Sequence, residues 1–211
     1  MPVSTPDKID KTIEDFCKKI NKNKNPVFIN VAPTFEAKKN ECFYNVRNHT
    51  EKNGGNIIYG WSIWIWKNVY IEAEHHAVWK TLNEELVDIT PKEDNEKKIL
   101  FLPDSESVYD YENNKRLNNI KVELVDDPLL RKFFSLSDKI FQLIESKSVG
   151  REIHLEQDTE KKLRELNEQS ASALVNIYKK YLGPNDKCLC GSGKKIKKCC
   201  GIQKIKNLHL R

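Results

Sequence analysis

Cysteine is the residue type with the most chemistry in this 211-residue chain. Four of its six cysteines fall in CLCGSGKKIKKCC, residues 188 to 200, spaced Cys188-x-Cys190-x8-Cys199-Cys200. Two close pairs joined by a short loop can close a tetrahedral shell of thiolates around Zn²⁺ at about 2.3 Å per bond, and a shell closed by protein leaves no position for substrate. Gly191 and Gly193 allow the tight turns that aim backbone N–H groups at sulfur. Such a site carries a charge of roughly −2, which Lys187, Lys194, Lys195, Lys197 and Lys198 can offset. With only Leu189 and Ile196 as apolar material, the segment depends on metal to fold.

The stretch GPNDKCLCGSGKKIKKCCG, residues 183 to 201, resembles the SEC-C motif, a small zinc-binding module at the C-terminal end of the preprotein translocase motor and on many other bacterial proteins. The resemblance implies that Cys188, Cys190, Cys199 and Cys200 are the ligands; Ile196 stands where an aromatic residue is more usual, a matter of packing. It also implies a recognition module, since the translocase version binds a chaperone and is associated with ribosomes. From Gly183 onward there are seven lysines and one arginine against Asp186 alone, a net +7 that leaves −2 on the first 182 residues. The expected partner is therefore an acidic protein surface or a ribosome, with nucleic-acid contact through its RNA.

A second set lies upstream: Cys42, EHHAVW at 74 to 79, and LVDITP at 86 to 91. It resembles the transglutaminase-like branch of the papain-like superfamily, where a Cys begins a helix, a His lies on an antiparallel strand and an Asp follows on the neighbouring one. The resemblance implies Cys42 as nucleophile, His76 as base with His75 as the alternative, and Asp88 as the group that orients the imidazole. The chemistry coheres, because a helix N-terminus favours a thiolate and a carboxylate fixes a histidine tautomer. Asn45 is a candidate oxyanion donor. Glu72, Glu74, His75, His76 and His49 are a second candidate metal set, although adjacent histidines on a strand point to opposite faces. The remaining reading makes Cys42, the histidines and the four tryptophans ordinary core.

The elements that position these residues follow from periodicity. Thr5 and Pro6 open a helix with Ile9, Ile13, Phe16, Cys17 and Ile20 on one face, so Cys17 is a core residue. VFINV, 27 to 31, is a short buried strand, and Asn40 caps a helix that carries Cys42 in its first turn and ends at Gly54-Gly55. From Ile57 to Leu102 the pattern is an antiparallel meander with two-residue turns at Lys67-Asn68 and Asn83-Glu84, and IKVELV adds a strand. The second turn pairs Trp79 with Asp88, leaving Asp88 three residues off His76, so contact requires a bulge or twist. Asp127-Pro128 starts one helix, and a second runs from about Leu155 to Leu182 until Gly183-Pro184 stops it.

The expected architecture is α+β: an antiparallel sheet flanked by helices in residues 1–126, a helical segment and stem over 127–182, and the zinc module with its basic tail over 183–211. No apolar run approaches the roughly 20 residues of a membrane span, and the opening MPVSTPDKID has neither a basic nor an apolar leader segment. Closely spaced cysteines suit a reducing compartment, so the expectation is a cytoplasmic protein. Two classes of function stay open: a cysteine-dependent hydrolase or acyltransferase, and a non-enzymatic adaptor. Oligomeric state is not legible.

Overall fold

A computed structural model describes residues 2–92, 96–149, 152–153, 155–190 and 192–201. These form two compact units, one of Val3–Lys67 and Ile71–Tyr109, the other containing Asn68–Tyr70 and the chain from Asp110 onward.

The first unit is a barrel with two helices. Helix α1 spans Lys11–Ile20 and is capped by Asp10, whose carboxylate accepts from Ile13 N (3.1 Å). It thus starts later than Thr5-Pro6 suggested: Ser4 is held extended against Ile65, and Thr5 Oγ1 donates to Glu96. Ile13, Phe16 and Cys17 form its buried face as expected, and burial pushes the Cys17 thiol up to about 12.

Strands β1 (Val27–Val31), β2 (Asn56–Trp66), β3 (Tyr70–Lys80), β4 (Leu86–Asp88) and β5 (Lys98–Pro103) are hydrogen-bonded in the order β2-β5-β1-β4-β3, and β2 pairs with β3 to close the ring. This corrects the meander. β1 inserts between β4 and β5, running parallel to β4 and antiparallel to β5. A closed ring of five strands cannot be antiparallel throughout; one neighbouring pair must run parallel, and here it is β1 with β4. Alternate residues of all five strands meet inside: Ile29 and Val31, Ile58, Val78, Leu86, Ile99 and Phe101. Gly60 shares this inward face because a Cβ there would lie 2.7 Å from the Phe101 ring and 2.2 Å from Leu102 O. β1 is less buried than expected, since only Ile29 is shielded while Val27 and Phe28 are exposed.

Both turns of the β2-β3-β4 run are three residues long. Lys67–Val69 joins β2 to β3, with Asn68 at φ 63°. After β3, Glu84 N donates to Thr81 O and Thr81 N to Glu85 O, with Glu84 at φ 69°. This is a type I turn closed by a left-handed residue, the usual three-residue hairpin. It pairs Trp79 with Val87, one residue away from the expected register.

In the second unit, β6 (Ile120–Glu123) precedes α3 (Pro128–Glu145), and Leu124 N donates to Val69 O of the same unit (2.8 Å). Asp127 caps α3 through Leu129 N (2.9 Å), as its sequence predicts. The same carboxylate accepts from Lys180 Nζ (2.7 Å) and Tyr181 Oη near the end of α4 (Gln157–Tyr181), clamping the two helices together. These hydrogen bonds, led by that from Lys180, hold Asp127 at about 2. Leu130 and Ile177 are fully buried in this unit. None of the described helices is long and apolar enough to cross a membrane.

Candidate functional site

The barrel brings His76 and Asp88 together without the bulge that the expected register required. Continuing the observed pairing puts Asp88 level with Val78, so Asp88 and His76 are diagonal neighbours on the inward face. His76 Nε2 lies 3.0 Å from Asp88 Oδ2, with the two side chains 5% and 0% exposed. A carboxylate accepts only, so Nε2 carries a hydrogen and, when the ring is neutral, the lone pair is on Nδ1. The other carboxylate oxygen, Oδ1, accepts from Thr90 N (2.9 Å).

A third polar group, which sequence reasoning missed, completes the cluster. Lys92 Nζ lies 2.6 Å from Asp88 Oδ2 and 3.4 Å from His76 Nε2, with its side chain 10% exposed. Its signal was present in Asp88-Ile-Thr-Pro-Lys92: the Asp88 side chain on Thr90 N makes a local turn, and Pro91 stiffens it. Burial works hardest against a charged His76 and Lys92 adds to it, but the Asp88 carboxylate, the Cys42 thiolate and the bond to Asp88 outweigh them and raise His76 to about 9. Asp88 is opposed first by its own burial, yet the charges and donors of His76 and Lys92 hold it at about 2.

Cys42 is the first residue of helix α2 (Cys42–Asn53), 8% exposed and near enough to His76 for its charge to act on that ring. The cap differs from expectation: Asn40 has φ 62° and lies just outside, while Glu41 is the N-cap and its side chain does not cap the helix. Asn45, the candidate oxyanion donor, has its side-chain amide engaged in the scaffold. Its Nδ2 donates to Lys38 O (2.7 Å) and Thr90 Oγ1 (3.2 Å), and its Oδ1 accepts from Lys38 N (2.9 Å), tying the loop before α2 to the segment after β4.

His75 takes the opposite face. Its Nε2 donates to Ser107 O (2.6 Å), and its ring packs at 4.7 Å from Phe43 and 5.5 Å from Trp61. The histidine beneath the body of α2 is thus His75, while His76 meets Asp88. The second metal set does not assemble: Glu74 accepts from Trp64, His49 packs on Trp79 at 4.5 Å, and the two histidines are engaged apart. Among the described residues, one group of three or more His, Cys, Asp or Glu converges its ligand atoms, and it is the tail cluster.

That cluster is built on a short antiparallel contact. Lys187 bridges Lys195, Cys188 N donates to Lys194 O (2.8 Å) and Ile196 N to Asp186 O (2.8 Å). Gly193, at φ 69°, makes the return turn, whereas Gly191 lies outside the described residues. A single 3₁₀ turn, Ile196–Lys198, then presents Cys199 and Cys200, with Ile196 fully buried as the module's apolar anchor.

The four Sγ atoms all lie within 4.8 Å of one another, with Cys190–Cys199 at 3.4 Å and Cys199–Cys200 at 3.9 Å. A tetrahedron with 2.3 Å bonds has edges of about 3.8 Å, so the donor set fits zinc in both type and spacing. The thiols also behave as a crowded set. Ser192, through its hydroxyl and its backbone N–H, pulls Cys190 down to about 6, while sharing with Cys188 and Cys190 pushes Cys200 up to about 12. Once some sulfurs ionise, the others resist, and a bound dication removes that resistance.

No curated protein and no solved structure was found to match the chain. Residues 185–202 match the family model of the SEC-C motif, and the four cysteines of that stretch are the four that converge in space.

Proposed function

We propose that the protein is a zinc-binding protein whose tail module recruits it to a protein or ribonucleoprotein partner, and whose barrel performs thiol chemistry at Cys42 on an amide-bearing substrate. The zinc reading rests on the convergence of four sulfurs within a motif of known type. The recruiting role is supported by the +7 tail, part of which lies beyond residue 201 and outside the described residues. When bound, zinc folds the module; the chain's own lysines then offer the charged surface.

The thiol reading rests on one observation, the buried His76–Asp88 bond with Cys42 electrostatically linked to the same ring. Asp88 occupies Nε2, which leaves Nδ1 to exchange a proton with sulfur. In the reaction so supported, the Cys42 proton has already passed to His76, and Cys42 Sγ attacks the amide carbonyl carbon. His76 then gives that proton to the leaving amine as the C–N bond breaks, giving a thioester at Cys42. Water or a second amine attacks the thioester carbon and loses a proton to His76 as the C–S bond breaks, which restores the starting Cys42–His76 pair. Asp88 holds the ring in place and stabilises its charge.

The test is thiol reactivity in the native protein. Cys42 should alkylate with a pH dependence that His76→Asn removes, while Cys17, fully buried and raised to about 12, stays inert. A Cys42 as inert as Cys17 would favour the adaptor reading, in which the barrel binds without reacting.

A further inference from the structure

We propose that Lys92 is a positioning residue for the proposed thiol chemistry, its largely shielded ammonium setting how tightly His76 holds its proton. The proposal rests on the thiol reading and on geometry. Lys92 Nζ and His76 Nε2 converge on one oxygen, Asp88 Oδ2, at 2.6 and 3.0 Å. Both are donors, so their 3.4 Å separation is two positive groups side by side whenever His76 is protonated, held there by the carboxylate between them.

The placement is built, not incidental. Asp88 Oδ1 fixes Thr90 N, Asn45 fixes Thr90 Oγ1, and Pro91 then returns the chain so that Lys92 reaches the other carboxylate oxygen. A lysine stem nearly removed from water is uncommon unless its charge is paired, and here the partner is the same Asp88 oxygen that His76 uses. The charged groups acting on His76 are Asp88 of β4, Lys92 of the following segment and Cys42 of α2. Glu74, next along the inward side of β3, is bonded to Trp64, and Phe101 from β5 is uncharged. Asp88 and the Cys42 thiolate therefore pull the proton onto His76, and Lys92 is the cation that opposes them. Without it, the ring would hold its proton too firmly to pass it to a leaving amine.

The experiment follows the His76 ring by NMR across pH in the full chain, with His76→Asn for assignment. In Lys92→Gln, which keeps a donor for Asp88 but removes the charge, the His76 titration should move up by about one pH unit or more. In Lys92→Arg, which keeps the charge, it should stay near the wild-type value; if the Gln chain does not fold, Lys92→Met makes the same comparison. A titration that stays put or falls on removal of the charge overturns the proposal. Cys42 alkylation separates the two claims. If it depends on His76 while the His76 titration ignores Lys92, the inference fails and the thiol reading stands. If it ignores His76 while the titration moves, the thiol reading fails, and with it the positioning role.

Discussion

Replacing Asp88 by Asn removes the charge on which His76 and Lys92 converge while keeping the side chain's size. Asp88 held at about 2 against an ordinary 3.8 corresponds to about 2.5 kcal/mol, and His76 raised from 6.5 to about 9 to about 3.5 kcal/mol, at roughly 1.36 kcal/mol per pH unit. The two shifts share the His76–Asp88 contact and are not added. The Asp88 figure is the better measure for this variant, because it reflects His76 and Lys92, the two groups that lose their partner, whereas the His76 figure also contains the charge of Cys42. Asp88→Asn additionally strands the Lys92 ammonium in a nearly dry site, so the expected loss at pH 6 is about 2.5–4 kcal/mol. The His76 part is fully present below pH 6.5 and disappears as pH rises through about 9; the Asp88 part is present above 3.8 and lost as pH falls through about 2. The gap between wild type and variant should therefore be widest from about pH 4 to 6.5 and narrower at pH 10, where only the Lys92 contact persists. Urea unfolding followed by tryptophan fluorescence reads this directly, since Trp61, Trp64, Trp66 and Trp79, the chain's four tryptophans, all belong to the barrel unit. A gap below about 0.5 kcal/mol at pH 6, or one that stays constant to pH 10, would refute the ion-pair reasoning.

Two further substitutions probe the scaffold. Glu84→Gly should raise the urea midpoint by the equivalent of about 0.5–1 kcal/mol, because Glu84 sits at φ 69° and its ion pair with Lys80 is exposed on the Glu84 side. Asn45→Ala deletes the hydrogen bonds that tie Lys38 and Thr90 to α2, and should cost about 2–3 kcal/mol and speed tryptic cleavage at Lys38 and Lys39; unchanged proteolysis would show that the loop is held by other contacts.

What could be read from sequence was what is local in sequence. The tail ligands lie within thirteen residues, and the match and the geometry agree on the same stretch. The Asp127-Pro128 helix start is legible for the same reason. Strand alternation separated His75 from His76, but which one met Asp88 depended on register, and register depended on a turn whose left-handed position holds Glu84 where glycine would have announced it. The insertion of β1 between β4 and β5 left no local trace, because five apolar strands have the same texture whether they form a meander or a closed ring. Lys92 is one of 36 Lys and Arg residues in the chain, and only the return turn after Asp88 sets it apart.

The central claim, that the four tail cysteines hold one zinc ion, is tested most directly by X-ray absorption at the zinc edge on the purified full chain, with metal content measured on the same sample. The expected result is one zinc per chain with four sulfur neighbours at about 2.3 Å, lost when Cys188 and Cys190 are both replaced by Ser. A nitrogen- or oxygen-dominated shell, or full zinc retained by the double variant, would contradict it.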